Sequence, residues 1–363
     1  MAPRARGAGS RLLMAGAARR PVMLQEIHAT PARVEVLLTR ESKPLQKALA
    51  GLRQSPPGLI LIAGRGTSDH AAIYGRYLFE HHLGIPVSGA ALSLFTLYPA
   101  PLHLGGALAI GVSQSGESAD VVKALQVARE RGAYTLAVTN TAASSLTKLA
   151  HHTLLLRAGK ERAVAATKTY TAELVAMTMI CRALGGGLAE EDLARLPEHV
   201  QTALECEAAV AEVAPRYRYA PRCLVLARGF NYGTARETAL KLMETCYLGA
   251  SGMSAADFLH GPIAFVDAGT PVVCFAADGA TYGFMVDVAR RLREQRVDVL
   301  SFTNRRDIAE VSAMAVYCPV PVSEGLTPVP FAILGQLLAC YLAIERGLDP
   351  DSPRRLQKVT LTW

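Results

Sequence analysis

Ser113-Gln-Ser-Gly-Glu-Ser118 follows directly on the apolar run Ala107-Leu-Ala-Ile-Gly-Val112, and a helical pattern begins near Ala119. A strand that ends in a short turn of hydroxyls, an amide and one glycine, and then enters a helix, can hold a phosphate without a lysine. Backbone N–H groups and the positive end of the helix dipole face the anion. Ser113, Ser115 and Ser118 add neutral donors, and Gly116 lets the backbone come close. The turn therefore points to a phosphorylated metabolite, although the same residues also suit a serine N-cap on an ordinary helix.

A second constellation lies downstream in Arg236-Glu-Thr-Ala-Leu-Lys-Leu-Met-Glu244. Glu237, Lys241 and Glu244 fall at i, i+4 and i+7, on one helix face. A solvated ion pair is the everyday reading of that spacing. Two neighbours favour chemistry instead. The helix starts at the carboxyl end of a strand, where ligands sit in open α/β sheets. Ala255-Ala-Asp-Phe-Leu-His-Gly-Pro262 then places His260 in a turn, where an imidazole near a carboxylate pair can act as an acid–base group. On a sugar phosphate these groups divide the work. A histidine moves protons at the ring oxygen and anomeric hydroxyl. A carboxylate such as Glu244 carries a proton between C1 and C2. Lys241 or Lys358 handles an imine.

The elements that must position these residues are duplicated. Leu59-Ile-Leu-Ile-Ala-Gly-Arg-Gly66 resembles Cys223-Leu-Val-Leu-Ala-Arg-Gly229, the glycines being 163 residues apart (229 − 66). Ala133-Tyr-Thr-Leu-Ala-Val-Thr-Asn140 resembles Val297-Asp-Val-Leu-Ser-Phe-Thr-Asn304, with the asparagines 164 apart (304 − 140). Leu108–Val112 matches Pro271–Phe275 at nearly the same offset. Each half alternates continuous apolar strands with helical patterns, which predicts a doubly wound parallel sheet covered on both faces. The segment Glu190–Ala214, helix-like and broken at Pro197, joins the halves. A helix around Phe331–Arg346 closes the second, and a polar, proline-interrupted tail should run over the surface. The expected organisation is an extension over 1–22, a helical segment over 23–50, a first α/β domain over 51–188, a linker over 189–215, a second domain over 216–346 and a tail over 347–363.

Composition narrows the function class. The chain has 363 residues, 50% of them hydrophobic and 19% charged, which fits about two compact domains. Its net charge of +7 is concentrated: residues 1–22 carry five arginines and no acid, which leaves +2 for the remainder. No basic stripe interleaved with aromatics remains, so no nucleic-acid partner is expected. The first 22 residues are read as an extension with Met23 as the natural beginning. No membrane span is expected; Leu174–Leu184 comes nearest and is read as a core helix. Seven scattered cysteines without a C-x-x-C pair suit buried thiols in a reducing cytoplasm. His81-His82 and His151-His152 lack metal-ligand spacing, and Gly64-Arg-Gly66 lacks the third glycine of a dinucleotide fingerprint, so neither metal nor organic cofactor is expected.

Over residues 23–363 the chain resembles the double sugar isomerase (SIS) domain proteins, notably the isomerase half of glutamine:fructose-6-phosphate amidotransferases and, closer still, the SIS-type glucosamine-6-phosphate deaminases. The motifs that carry the resemblance are Gly64-Arg-Gly-Thr-Ser-Asp-His-Ala71, Ser113–Ser118, Val164-Ala-Ala-Thr-Lys-Thr169, Glu237-x-x-x-Lys241-x-x-Glu244, His260-Gly-Pro262 and Leu356-Gln-Lys-Val359. It implies two tandem flavodoxin-like three-layer domains. It also implies that Thr67, Ser68, Ser113, Gln114, Ser115 and Ser118 bind a hexose or hexosamine 6-phosphate, with Val164 and Ala166 lining the same pocket. Glu244 would be the proton shuttle and His260 the ring opener. Lys358 would be the imine-handling lysine, and Glu237 and Lys241 would orient them. A homodimer is implied, with the histidine supplied by the neighbouring subunit. Ser118 stands in place of a threonine, Ala166 in place of a serine and Gln357 in place of an alanine, and the last two bear on which sugar is taken. Only about 35 residues precede the first sheet, and the first cysteine is Cys181, so no glutamine hydrolysis is expected. The expected reaction is D-glucosamine 6-phosphate and water to D-fructose 6-phosphate and ammonia. Two rivals stay open: a ketosamine-phosphate deglycase or aldose–ketose isomerase acting on a galactosamine or tagatose phosphate, and a sugar-phosphate sensor without turnover.

Overall fold

The computed structural model describes residues 20–98 and 100–358. Helices α1 (Val22–His28) and α2 (Thr30–Gln54) lead into the first sheet. The first half then runs β1 (Ile60–Ala63), α3 (Thr67–Leu83), β2 (Val87–Gly89), α4 (Ser93–Thr96), β3 (Leu108–Val112), α5 (Ala119–Glu130), β4 (Tyr134–Thr139), α6 (Ser145–Leu149), β5 (His152–Leu155) and α7 (Lys168–Ala183). Three short helices link the halves: α8 (Glu190–Ala194), α9 (Leu196–Glu205) and α10 (Glu207–Val213). The second half runs β6 (Arg222–Ala227), α11 (Tyr232–Cys246), β7 (Gly249–Ser254), α12 (Ala255–Leu259), β8 (Pro271–Ala276), α13 (Tyr282–Glu294), β9 (Asp298–Thr303), β10 (Met314–Tyr317) and α14 (Pro328–Glu345).

Each half forms a five-stranded sheet, ordered β2-β1-β3-β4-β5 and β7-β6-β8-β9-β10, and every pairing is parallel. The three strand pairs matched in the sequence, β1 with β6, β3 with β8 and β4 with β9, hold the same places in the two sheets. The central strands are buried along their whole length, as continuous apolar runs in doubly covered sheets require. The fold is α/β, two doubly wound three-layer units in tandem.

The halves meet through helices. α3 packs on α7 and α11, and α11 packs on α14. Gly233 makes the α3–α11 approach possible, since a Cβ there would stand 2.5 Å from the His70 carbonyl oxygen. That contact sets residues at the start of α3 beside the polar face of α11.

Some local readings differ from the structure. The expected break at Pro197 falls between α8 and α9, with the proline in the first turn of α9, where its missing N–H costs nothing. The last helix opens at Pro328, three residues before the apolar pattern suggested, with Pro328 and Pro330 in its first turn. This helix, not Leu174–Leu184, is the stretch long and apolar enough to cross a membrane, and it is buried over most of its length. Residues 1–19 lie outside the described residues, and Val22 already belongs to α1. The Asp351 carboxylate of the tail caps that helix by accepting from the Val22 and Met23 amides, each at 2.7 Å. As far as Lys358 the tail follows the surface but is tied down again where the Arg354 amide donates to the Tyr247 hydroxyl at 2.7 Å; residues 359–363 lie outside the described residues.

Candidate active site

The order of the first sheet reverses between β1 and β3. The Gly64–Ser68 turn leaves the carboxyl end of β1 and the Ser113–Ser118 turn leaves that of β3, which puts both at the switch point where such sheets bind ligands. A salt bridge joins them, from Arg65 Nε in the first turn to Asp120 Oδ2 in the first turn of α5 at 2.5 Å. The half-exposed Arg65 guanidinium thereby stands close to where an anion would sit.

Ser118 is the N-cap residue of α5, yet its side chain caps none of the helix amides. Its hydroxyl instead lies 3.2 Å from the Ser113 hydroxyl. The turn is closed by Gly116, whose amide donates to Ser113 Oγ at 3.2 Å, and by the Glu117 amide, which donates to Ser115 Oγ at 3.2 Å. Glu117 spends its carboxylate on the Ser145 amide at the start of α6, and hydrogen bonds from Ser145 hold its pKa below the usual range. Gly116 has φ +70°, and a methyl there would collide with the Ser144 side chain that caps α6. Gly116→Ala is expected to lower the unfolding free energy by about 2–3 kcal/mol, the left-handed backbone and the clash acting together. Chemical denaturation measures this, and a loss below about 0.5 kcal/mol would show that the turn yields easily.

The second half carries the same kind of turn after β8, and there it is filled. The Glu324 carboxylate accepts from the Ala280 amide at 2.6 Å, from the Thr281 amide at 3.3 Å and from the Thr281 hydroxyl. In the second half the chain's own anion thus occupies the turn.

Glu237, Lys241 and Glu244 of α11 gather on the first-half turn. Lys241 Nζ is fully buried and lies 3.2 Å from Glu237 Oε1, 2.5 Å from Glu244 Oε2 and 3.4 Å from Thr67 Oγ1. Glu237 also accepts from the Thr67 hydroxyl at 3.0 Å and pairs with His70 Nδ1 at 2.8 Å. Burial alone would lower the Lys241 pKa, but Glu237 and Glu244 outweigh it and hold the ammonium above its ordinary value. Glu244 is the member of this cluster that keeps contact with solvent, its side chain 22% exposed.

A third group anchors the tail. Lys358 Nζ donates to Glu161 Oε2 at 2.8 Å, to the Ala163 carbonyl at 2.8 Å and to the Val164 carbonyl at 3.4 Å. Glu161 is fully buried and also accepts from the Thr167 amide and the Thr169 hydroxyl. Burial would raise its pKa, yet Lys358 and these donors hold it below the usual range. Lys358 lines a cavity of about 700 Å³ with Gln114, Ser115, Asn140 and Glu161. Four residues along α7 from Thr169, Glu173 lies 2.8 Å from Ser68. Helix α7 thus carries one residue bonded to the Lys358 partner Glu161 and another bonded to the start of α3.

Ser68 stays beside Thr67 at the start of α3, its hydroxyl on Glu173. Other candidate residues are placed apart: Val164 engages its carbonyl with Lys358 and its amide with the Asp351 carbonyl, and Ala166 is half-buried. His260 sits at the C-cap of α12, near the end of edge strand β7. Among the described residues, no hydrogen bond or ion pair joins its ring to Glu244 or Lys358. Sequence reasoning assigned no role to Arg65, His70, Asp120, Glu161 or Glu173. Arg65 and His70 lie inside the Gly64–Ala71 motif, and Glu173 is a carboxylate beside an apolar helical run, so these three carried a visible signal.

Comparison with known proteins places this geometry in a family. The SIS domain model matches residues 55–183 and again 217–346. A glutamine–fructose-6-phosphate aminotransferase (isomerizing) from Methanothermobacter thermautotrophicus is 36% identical over 340 residues, covering 93% of this chain and 56% of the relative. The chain thus spans little more than half the length of that relative. A solved structure from Silicibacter pomeroyi, provisionally described as a phosphosugar isomerase, is 34% identical with a TM-score of 0.83, covering 92% of this chain and 100% of its own. A glucosamine-6-phosphate deaminase from Thermotoga maritima shares the fold at 22% identity and a TM-score of 0.72, covering 91% of this chain and 100% of its own. With both halves matched by the same model, the chain belongs to the SIS domain family.

Proposed function

We propose that this protein converts D-glucosamine 6-phosphate and water to D-fructose 6-phosphate and ammonia. The observation that carries the reading is the reach of Lys241, which touches Thr67 of the first-half turn and Glu244 of the second half at once. It couples an anion-binding turn to a partly exposed carboxylate, as an aldose–ketose proton shuttle on a phosphosugar requires.

In this mechanism Thr67, Ser68, Ser113, Gln114, Ser115 and Ser118 hold the sugar phosphate, with Arg65 adding charge. His260, from the partner subunit of a homodimer, opens the ring. Glu244 removes the C2 proton of the open-chain aldehyde, the C1 oxygen is protonated, and an enolamine forms. Returning the proton to C1 gives the C2 imine of fructose 6-phosphate. Water adds to that imine and ammonia leaves, so the atoms balance. Lys358 lies beside Gln114 and Ser115 in one cavity and is assigned the handling of the imine.

The test is purified protein with glucosamine 6-phosphate. Ammonia and fructose 6-phosphate are expected in equal amounts. Binding without turnover would favour a sensor. Turnover of a fructosamine, galactosamine or tagatose phosphate in its place would move the assignment to that substrate.

A further inference from the structure

We propose that Glu173 is a positioning residue of this site: from the interior it sets which way the Ser68 hydroxyl points, and so how tightly the first half grips an anionic sugar. The inference rests on the phosphosugar reading above. Glu173 is 1% exposed, on α7 where that helix packs against α3. Its Oε1 lies 2.8 Å from Ser68 Oγ, and its Oε2 has no partner among the described residues. Ser68 is the second residue of α3, at the carboxyl end of β1. A dry carboxylate with a single hydrogen bond is costly, whereas the neutral acid is far less so.

The neighbours push the same way. Burial is the main influence; Glu237 on α11 and Glu161 ahead of α7 add negative charge, Lys241 on α11 and the Ser68 hydrogen bond oppose them, and the carboxyl is pushed up to about 8. Tyr170 and Cys181 on α7 and Tyr74 and His70 on α3 are further titratable groups of this interior.

A separation of 2.8 Å suits either sense of the bond. As an acid, Glu173 donates its proton to Ser68 Oγ, and the serine hydrogen is free to point at the phosphate. As a carboxylate, it takes the serine hydrogen, and Ser68 offers the phosphate only lone pairs. The neutral form is therefore the binding form, and affinity falls as pH rises through about 8. A sugar phosphate completes its own second ionisation near pH 6, below this window.

Calorimetric titration of the full chain with fructose 6-phosphate between pH 6.5 and 9.5 tests the idea. In the native protein, Kd is expected to weaken by up to about tenfold across pH 8, the worth of one hydrogen bond turned away. Binding at pH 8 should also take up protons, seen as a heat that depends on the buffer. In Glu173→Gln the amide donates to Ser68 at every pH, so Kd should stay flat near the native neutral-pH value. In Ser68→Ala, Kd should be flat and weak. An unaltered alkaline limb in Glu173→Gln, or weak binding by that variant at all pH values, overturns the role of Glu173 while leaving the phosphosugar reading intact. No binding by the native protein at any pH removes both.

Discussion

Glu244→Gln is expected to lower kcat for ammonia release from glucosamine 6-phosphate by about 10²–10⁴, the usual worth of a positioned general base, while KM changes little. The split follows from geometry. In the proposed mechanism the phosphate is held by the Ser113–Ser118 turn at the end of β3, whereas Glu244 lies at the far end of α11, on the other half of the molecule. An amide keeps the size of the carboxylate but cannot take the C2 proton. Glu244 is partly exposed, so the exchange leaves no new buried orphan, and circular dichroism and melting should match the native protein. Exchange of the C2 hydrogen with deuterated solvent should vanish together with turnover. If kcat stayed within threefold of native, the proton shuttle would have to lie elsewhere.

The periodic parts of the fold could be read from the chain because local sequence decides them. Buried parallel strands must be continuously apolar, so β1, β3 and β4 and their counterparts β6, β8 and β9 announced themselves at one offset. The repeated asparagines show the limit of that reading. Asn140 staples the following loop at Ala158 and Gly159, and Asn304 ties the preceding turn at Asp278 to Val320 downstream, so their recurrence reports architecture rather than chemistry. What makes the halves unequal was hidden: Glu324 fills the second turn from 44 positions downstream, and no spacing rule anticipates that return. Glu161 meets Lys358 across 197 residues and Ser68 meets Glu173 across 105, contacts that only the packing of α7 between the halves creates. The Glu237, Lys241 and Glu244 face was visible through its helical spacing. Its burial was not, because the covering surface comes from α3, far away in sequence.

That burial makes Lys241→Met a prediction about stability as well as rate. Lys241 and Glu237 are 1% and 3% exposed, and removing the ammonium leaves Glu237 charged in a dry interior with only Thr67 and His70 for support. The cost is expected to be about 3–5 kcal/mol, because a stranded buried charge loses its partner without regaining water. Activity should fall as well, since Glu244 loses the donor that fixes it. Methionine fills the same space, so the effect is electrostatic and not a cavity. The double variant Glu237→Gln, Lys241→Met removes both charges and should recover much of the stability, with a coupling energy of at least about 2 kcal/mol in a double-mutant cycle. It should not recover turnover, because Glu244 still lacks its lysine. Additive losses would mean that water enters this cluster and the two charges are solvated independently. Recovered stability without recovered activity separates what Lys241 does for the junction of the two halves from what it does for the carboxylate beyond it.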